Sequence, residues 1–335
     1  MKRIAINGFG RIGRLVFRLL QQEEQMEVVA INDLTDANQL EYLLKYDTAH
    51  RGYLQNEITS EDNYLIVKDK KIKILAEKDP LQLPWKEMDI DLVFECTGLF
   101  TSLEKASAHI EAGAKKVIIS APAKGDVKTI VYGVNENILT GKEQIISAAS
   151  CTTNCLAPVL KVLDDNFGIQ QGFMTTVHAY TNDQATLDVA HKKGIASRRG
   201  RASAANIVPT STGAASAIGK VLPNLEGKLE GTAMRVPVIT GSVIDLVLSL
   251  KKKTTVEEIN QTLKNASNQT LGYTTDPIVS SDTIGMQYGA LVDSLLTAIN
   301  EVDQKQLVKV VAWYDNEMSY SAQMLRTAKY FINLE

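Results

Sequence analysis

The chain has 335 residues, 44% of them hydrophobic and 22% charged, with a net charge of −3 and three cysteines. That length is too great for one simple core and fits two domains. Three cysteines cannot build a disulfide framework, no apolar run approaches a membrane span, and balanced charge without like-charge blocks gives no reason to expect a nucleic-acid or anionic-membrane partner. The N-terminus MKRIAINGFG enters what reads as a strand, with no signal-peptide apolar region, so the expectation is a cytoplasmic protein.

Residues 3–7, RIAIN, form a short apolar run that ends at glycine. Ile12, Leu15, Val16, Leu19 and Leu20 then recur at helical spacing, QEEQ interrupts, and 28–32, VVAIN, is a second buried-strand run. This is a strand–helix–strand unit. Strand-like runs follow at 92–96, 117–120 and 129–134. Between the first two lies SLEKASAHIEAGAKK, a helical segment with a glycine stop. The alternation predicts a doubly wound parallel sheet over residues 1–150.

The second half reads differently. GFMTTVHAY (172–180), AMRVPVI (233–239), SVIDLVLSLKK (242–252) and VKVVAWY (308–314) are long β-rich stretches, with a helical candidate, TVEEINQTLKNASN, among them. They predict an α+β domain with a mostly antiparallel sheet over 151–315. From about Glu317 to Ile332, apolar residues at 324, 325, 328, 331 and 332 mark an amphipathic closing helix.

Residues 8–13 read GFGRIG. The pattern follows a strand, opens a helix, and precedes Asp33 at the end of the next strand, 20 residues after Gly13. Those three contexts together mark a dinucleotide site. Gly8 permits the tight turn, Gly10 lets backbone approach a pyrophosphate, and Gly13 lets helix and strand pack closely. The helix N-terminus offers N–H groups to phosphates. The Asp33 carboxylate accepts from ribose hydroxyls and repels a 2′-phosphate, which favours NAD over NADP.

Residues 148–158, AASCTTNCLAP, carry two cysteines four apart. A disulfide does not suit a reducing compartment. Zinc needs three or four ligands, and His50, His109, His178 and His191 are scattered. A redox pair needs two intervening residues, not three. A nucleophile remains. Ser150 reads as an N-cap, which puts Cys151 in the first helical turn, where N–H groups and the helix dipole stabilise a thiolate. Cys155 reads as buried filler. Pro158 falls inside this helix and is expected to cost a hydrogen bond or a kink. His178, ending the strand-like run TTVHAY, is the base for the thiol. His50 and His191 read as loop residues and His109 as lying on the face of a surface helix.

NGFGRIG, SCTTNCLAP, HAYTNDQ, RRGRASAANIVPTSTGAA and WYDNEMSY occur in this order. Together they resemble the phosphorylating glyceraldehyde-3-phosphate dehydrogenases of glycolysis, over essentially the whole chain. The resemblance implies a Rossmann-type NAD-binding domain over 1–150, completed by a C-terminal helix (316–335), and a homotetramer. It implies that Cys151 attacks glyceraldehyde 3-phosphate, that His178 takes the proton as hydride leaves, and that inorganic phosphate releases the Cys151 thioester as 1,3-bisphosphoglycerate. Thr181 and Arg235 match the substrate-phosphate site. Ser150, Thr152, Arg199, Thr212 and Gly213 match the site of the attacking phosphate. Arg11 and Ile12 match the pyrophosphate site, Thr97 and Ser120 the strand ends, and Asn316 the nicotinamide carboxamide.

There are departures from the family. Lys78 stands in EKDP where many members have arginine, and can still reach adenine or phosphate. The loop HKKGIASRRGR is about two residues longer than the common form. Val189–Ala190 replaces a frequent Leu–Pro, and Met318 a frequent tryptophan. Two alternatives stand beside the main reading: an erythrose-4-phosphate dehydrogenase, whose relatives alter HAYTND and PTSTGAA, and a surface-exposed binding protein of another class.

Overall fold

A computed structural model describes residues 1–191 and 194–334. Lys192 and Lys193 of the basic loop, and Glu335 at the end of the expected closing segment, lie outside the described residues. The chain divides into two compact units. The first comprises Met1–Ile130, Glu136–Ala149 and the segment from Met324 onward, and the second Val131–Asn135 and Ser150–Gln323. Among the described residues no helix is long and apolar enough to cross a membrane.

The first unit runs β1 (Lys2–Asn7), α1 (Arg11–Leu20), β2 (Met26–Asn32), α2 (Ala37–Lys45), β3 (Ile58–Glu61), β4 (Tyr64–Val67), β5 (Lys70–Leu75), β6 (Leu92–Glu95), α3 (Leu103–Glu111), β7 (Lys116–Ile119), β8 (Lys128–Thr129) and β9 (Ile145–Ser147). Its sheet has the order β3-β4-β5-β2-β1-β6-β7-β9-β8. β1 pairs in parallel with β2 on one side and β6 on the other. The order of strands therefore reverses at β1, and the C-terminal residues Asn7 and Glu95 flank the position where such sheets take ligands. The doubly wound parallel sheet expected here is present.

Two local expectations are corrected, and the sheet carries an antiparallel edge that the reading of 1–150 did not include. Residues 58–75 form antiparallel hairpins, β3–β4 and β4–β5, at the sheet edge. Their turns place Asp62 (φ 50) and Lys68 (φ 54) in the left-handed region. The run 129–134 is a strand only at Lys128–Thr129. Beyond it, Asn135 Oδ1 accepts from Val131 N (2.9 Å) and Gly133 takes φ 82, so local turn bonds displace the ladder. Finally, His109 is not on an exposed helix face: with Ala106 it forms the buried side of α3 and is fully covered.

The second unit runs α4 (Cys151–Phe167), β10 (Ile169–Ala179), β11 (Val208–Ser211), α5 (Ala214–Val221), β12 (Leu229–Val236), β13 (Ser242–Leu250), α6 (Val256–Asn265), β14 (Leu271–Thr274), β15 (Ala290–Val302), β16 (Lys305–Tyr314) and the start of α7 (Met318–Ile332), which ends in the first unit. The sheet order is β11-β12-β10-β13-β16-β15-β14, and only β10–β12 and β14–β15 pair in parallel. This is the mainly antiparallel sheet expected. β10 alternates: Met174, Thr176 and His178 are buried on the inner side, while Phe173 is exposed on the outer. α4 packs on α5, α6, β15 and β16, with Leu156, Val159, Leu160 and Leu163 fully buried. It runs unbroken through Pro158. Proline cannot donate to Asn154 O, and that carbonyl faces Gly289, where an added Cβ would lie 3.0 Å away. A glycine thus accommodates the altered helix turn.

Candidate active site

α4 starts where its sequence dictates. Ser150 caps it, with Oγ accepting from Thr153 N at 3.1 Å. The residue before the cap, Ala149, takes φ 59, a left-handed conformation costly for alanine and of the kind held at functional sites. Cys151 is therefore the first helical residue. β10 delivers His178 beside it: Cys151 Sγ and His178 Nε2 are 3.5 Å apart. His178 Nδ1 lies 2.6 Å from Ala179 O. A carbonyl can only accept, so the ring proton sits on Nδ1 and the Nε2 lone pair faces the sulfur.

Electrostatics refine the expectation of a resting thiolate. Burial pushes the Cys151 thiol up, against the opposing pulls of the Arg235 charge and the Thr152 hydrogen bonds. Burial, aided by Arg235, lowers His178 to about 3. Each neutral form is favoured because each charge would be desolvated, so the pair rests as thiol and imidazole. Cys155 is fully buried, and burial pushes its thiol well above the ordinary value. All three cysteines are free.

Polar side chains flank the pair. Arg235, opposite His178 in the β10–β12 register, donates from Nη1 to Thr181 Oγ1 (2.6 Å) and Ala179 O (3.1 Å). Its Nε is buried without a partner, a donor available to an anion. Arg199 donates from Nε to Thr210 Oγ1 (3.1 Å) and pairs with Asp183, which also accepts from Thr181. Thr212 Oγ1 accepts from Ala214 N (3.2 Å) at the start of α5. Arg199 and Gly213 share a cleft of about 800 Å³. Thr152 Oγ1 is 2.9 Å from Tyr314 Oη, which is 2.8 Å from Thr176 Oγ1.

Sequence reasoning missed two of these participants. Tyr314 is fully buried, and its ring meets His178 edge-on at 5.8 Å. It lies in the quoted WYDNEMSY stretch, yet no local signal places it against α4. Asp183 lies in the quoted HAYTNDQ stretch, which by itself gives it no role. In the structure its carboxylate joins Thr181 to Arg199, and that pairing, together with the Thr181 hydrogen bond, outweighs burial and keeps its pKa below the ordinary value.

In the first unit the glycine-rich turn has the form its sequence implies. Gly8 takes φ 90 and packs so closely that a Cβ would meet Thr97 N at 2.8 Å. A Cβ on Gly13 would lie 2.2 Å from Gly8 O. At Gly10 a Cβ would meet nothing within 4 Å, so that backbone faces open space at the start of α1. A cavity of about 540 Å³ collects Gly8, Gly10, Asp33, Lys78 and Thr97. Asp33 Oδ2 accepts from Phe9 N (2.7 Å) and Oδ1 from Thr35 N (3.0 Å). Arg11 turns aside to Asp47, at 2.6 and 3.1 Å, so that carboxylate holds its guanidinium. Ile12 is the next residue of α1 and partly exposed, and Ser120 follows β7, donating its N–H to Glu95 O (2.9 Å). Open backbone at a helix N-terminus, a carboxylate at the end of β2 and a cavity of this size fit a dinucleotide. In the second unit, Asn316 Oδ1 accepts from Ser242 Oγ (2.9 Å) and Gly241 N (3.2 Å), which leaves its amide N–H₂ end as the one to offer a ligand.

Known proteins are similar to this chain over essentially its whole length. Residues 2–103 match the family model "Glyceraldehyde 3-phosphate dehydrogenase, NAD binding domain", and residues 150–316 match "Glyceraldehyde 3-phosphate dehydrogenase, C-terminal domain". Curated proteins named glyceraldehyde-3-phosphate dehydrogenase from Clostridium pasteurianum and Clostridium acetobutylicum are each 58% identical over 334 residues, covering 100% of this chain and 99% of theirs. One from Streptococcus pyogenes is 55% identical over 333 residues, covering 99% of this chain and 98% of its own. NAD is the cofactor of this chain, which belongs to the glyceraldehyde-3-phosphate dehydrogenase family.

Proposed function

We propose that the chain oxidises glyceraldehyde 3-phosphate with NAD and inorganic phosphate to 1,3-bisphosphoglycerate, the phosphorylating reaction of glycolysis. The observation that carries this reading is the Cys151–His178 pair flanked by Arg235 with Thr181 on one hand and Arg199 on the other. Oxidation alone needs one anion site, whereas phosphorylation needs a second.

Cys151 Sγ bonds to the aldehyde carbon while its proton passes by way of His178 Nε2 to the carbonyl oxygen, giving a thiohemiacetal. His178 Nε2 then takes the hydroxyl proton, and the carbon loses hydride, leaving a thioester on Cys151. NAD supplies the hydride acceptor. Phosphate oxygen attacks the thioester carbonyl, the Cys151–carbon bond breaks, and the sulfur recovers its proton from the imidazolium. Sulfur suits this better than oxygen, because the thioester retains the energy of oxidation for acyl transfer. Arg235, with Thr181, holds the substrate phosphate. Arg199, Thr212, Gly213, Ser150 and Thr152 serve the attacking phosphate, with arginine forks and hydroxyls matching its oxygens.

Two finer assignments belong to the same reading. Free cysteines, one of them the nucleophile, accord with a reducing cytoplasm. A homotetramer accords with the outer face of the second sheet, where Phe173, Val247 and Leu307 form an exposed apolar cluster on three adjacent strands.

The test is NADH formation from glyceraldehyde 3-phosphate, with and without phosphate or arsenate, set beside erythrose 4-phosphate. Expected are dependence on the anion, loss of turnover in Cys151→Ser and retention of most turnover in Cys155→Ser. Equal losses in the two variants, or a rate indifferent to the anion, would reject the scheme.

A further inference from the structure

The first unit contains a buried polar chain that the reaction scheme does not use. Glu95, at the C-terminus of β6, is 1% exposed, and His109 and Trp85 are fully covered. Four donors converge on the Glu95 carboxylate. Oε1 accepts from Thr97 N (2.8 Å) and from the Thr97 hydroxyl, and Oε2 from Asn7 Nδ2 (2.6 Å) and His109 Nε2 (3.1 Å). A carboxylate has about four acceptor directions, and here all are filled.

The proton on His109 can be placed from geometry. Trp85 Nε1 lies 3.0 Å from His109 Nδ1. An indole N–H can only donate, so Nδ1 accepts and the ring proton sits on Nε2, aimed at Glu95. The contact with Glu95 is thus a hydrogen bond from a neutral ring. The 3.3 Å approach of Asn7 Nδ2 to His109 Nε2 is that of two donors meeting at one oxygen.

The chain ends in the cofactor cavity. Thr97 gives both its amide and its hydroxyl to Glu95, then accepts from Leu99 N (3.0 Å), which fixes the turn after β6. That turn packs against Gly8. On the other side, Asn7 Oδ1 accepts from Asn32 Nδ2 (2.7 Å), and Asn32 in turn bonds the Glu77 backbone through both ends of its amide (2.8 and 2.9 Å). Asn7, Asn32, Glu77 and Thr97 all line the cavity. One carboxylate thus ties together the ends of β1, β2 and β6 and the segment after β5. We propose that Glu95 and His109, held by Trp85, are positioning residues that set the floor of the NAD pocket. This rests on the assignment of that cavity to NAD.

The test measures NAD dissociation by calorimetry, thermal unfolding, and the rate of Cys151 alkylation without cofactor. Glu95→Gln turns an N–H₂ toward donors on one side, and His109→Leu removes a donor from a buried carboxylate. Each should weaken NAD binding by roughly tenfold or more and leave Cys151 alkylation unchanged. His109→Gln still donates to Glu95, so its affinity should return to within about threefold of the unaltered chain although it too loses thermal stability. If these variants unfold more easily yet bind NAD equally well far below their melting temperatures, the inference is overturned. Should Glu95→Gln and His109→Leu fail to fold, Trp85→Phe decides, since it keeps an aromatic ring and removes the donor to Nδ1 together with part of the indole's volume. Histidine ¹⁵N spectra should then show His109 leaving the Nε2–H tautomer together with weaker NAD binding. Unchanged spectra and affinity would overturn the inference. Failure of the unaltered chain to bind NAD would remove the cofactor assignment as well, whereas equal binding by all variants removes only this inference.

Discussion

At the scale of single residues, chemistry turns on the direction of a lone pair. His178 points Nε2 at Cys151 because Ala179 O claims the proton on Nδ1. Both members of the pair rest neutral, since burial disfavours each charge. His178→Asn removes the basic ring nitrogen, so thiol alkylation at neutral pH should slow, its pH profile should move upward, and turnover should fall by about 10² to 10⁴; an alkylation profile that coincides with that of the unaltered chain rejects the assignment. His109 teaches the converse. A lone histidine in SLEKASAHIEAG gave no sign of burial, because its partners Trp85 and Glu95 are reached only when α3 docks. The placement of Cys151 at a helix start was legible since its signal is local: a cap, a first turn and a cysteine.

At the scale of elements, α1 and the turn before it border the candidate cofactor cavity, and the Arg11–Asp47 pair ties α1 to the segment after α2. Burial opposes ionisation of Asp47, but hydrogen bonds from Arg11 and from the His50 amide, with the Arg11 charge, prevail and hold it at about 2. A carboxylate depressed from an unfolded value of about 4 contributes stability above that value and loses it as pH falls through about 2. Asp47→Asn should therefore lower unfolding free energy by about 2 kcal/mol near neutral pH, with the two proteins converging as pH falls from about 4 to below about 2. A difference that persists in acid excludes this ion pair as the cause. The edge hairpins of 58–75 went unread and the run 129–134 was read too long, because the first depend on left-handed turn residues, Asp62 and Lys68, and the second ends where Asn135 Oδ1 accepts from Val131 N in place of a ladder bond.

At the scale of the whole molecule, the proposed tetramer puts the exposed cluster on the second sheet to the test. Phe173 stands opposite Val247, and Leu307 lies on the same face of the neighbouring strand. Phe173→Asp with Leu307→Asp should yield species smaller than a tetramer by sedimentation without unfolding the chain; an unchanged mass places the interface elsewhere. The sequence by itself determined the two classes of sheet, the dinucleotide turn and the cysteine at a helix start. Each is written in a period, a glycine pattern or a cap that acts over a few residues. Tertiary structure alone decided which partners complete them: Tyr314 against Thr152, Asp183 between Thr181 and Arg199, His109 beneath Glu95. Those pairings join residues on separate elements or loops, and only the packing of those segments brings their polar atoms within hydrogen-bond reach.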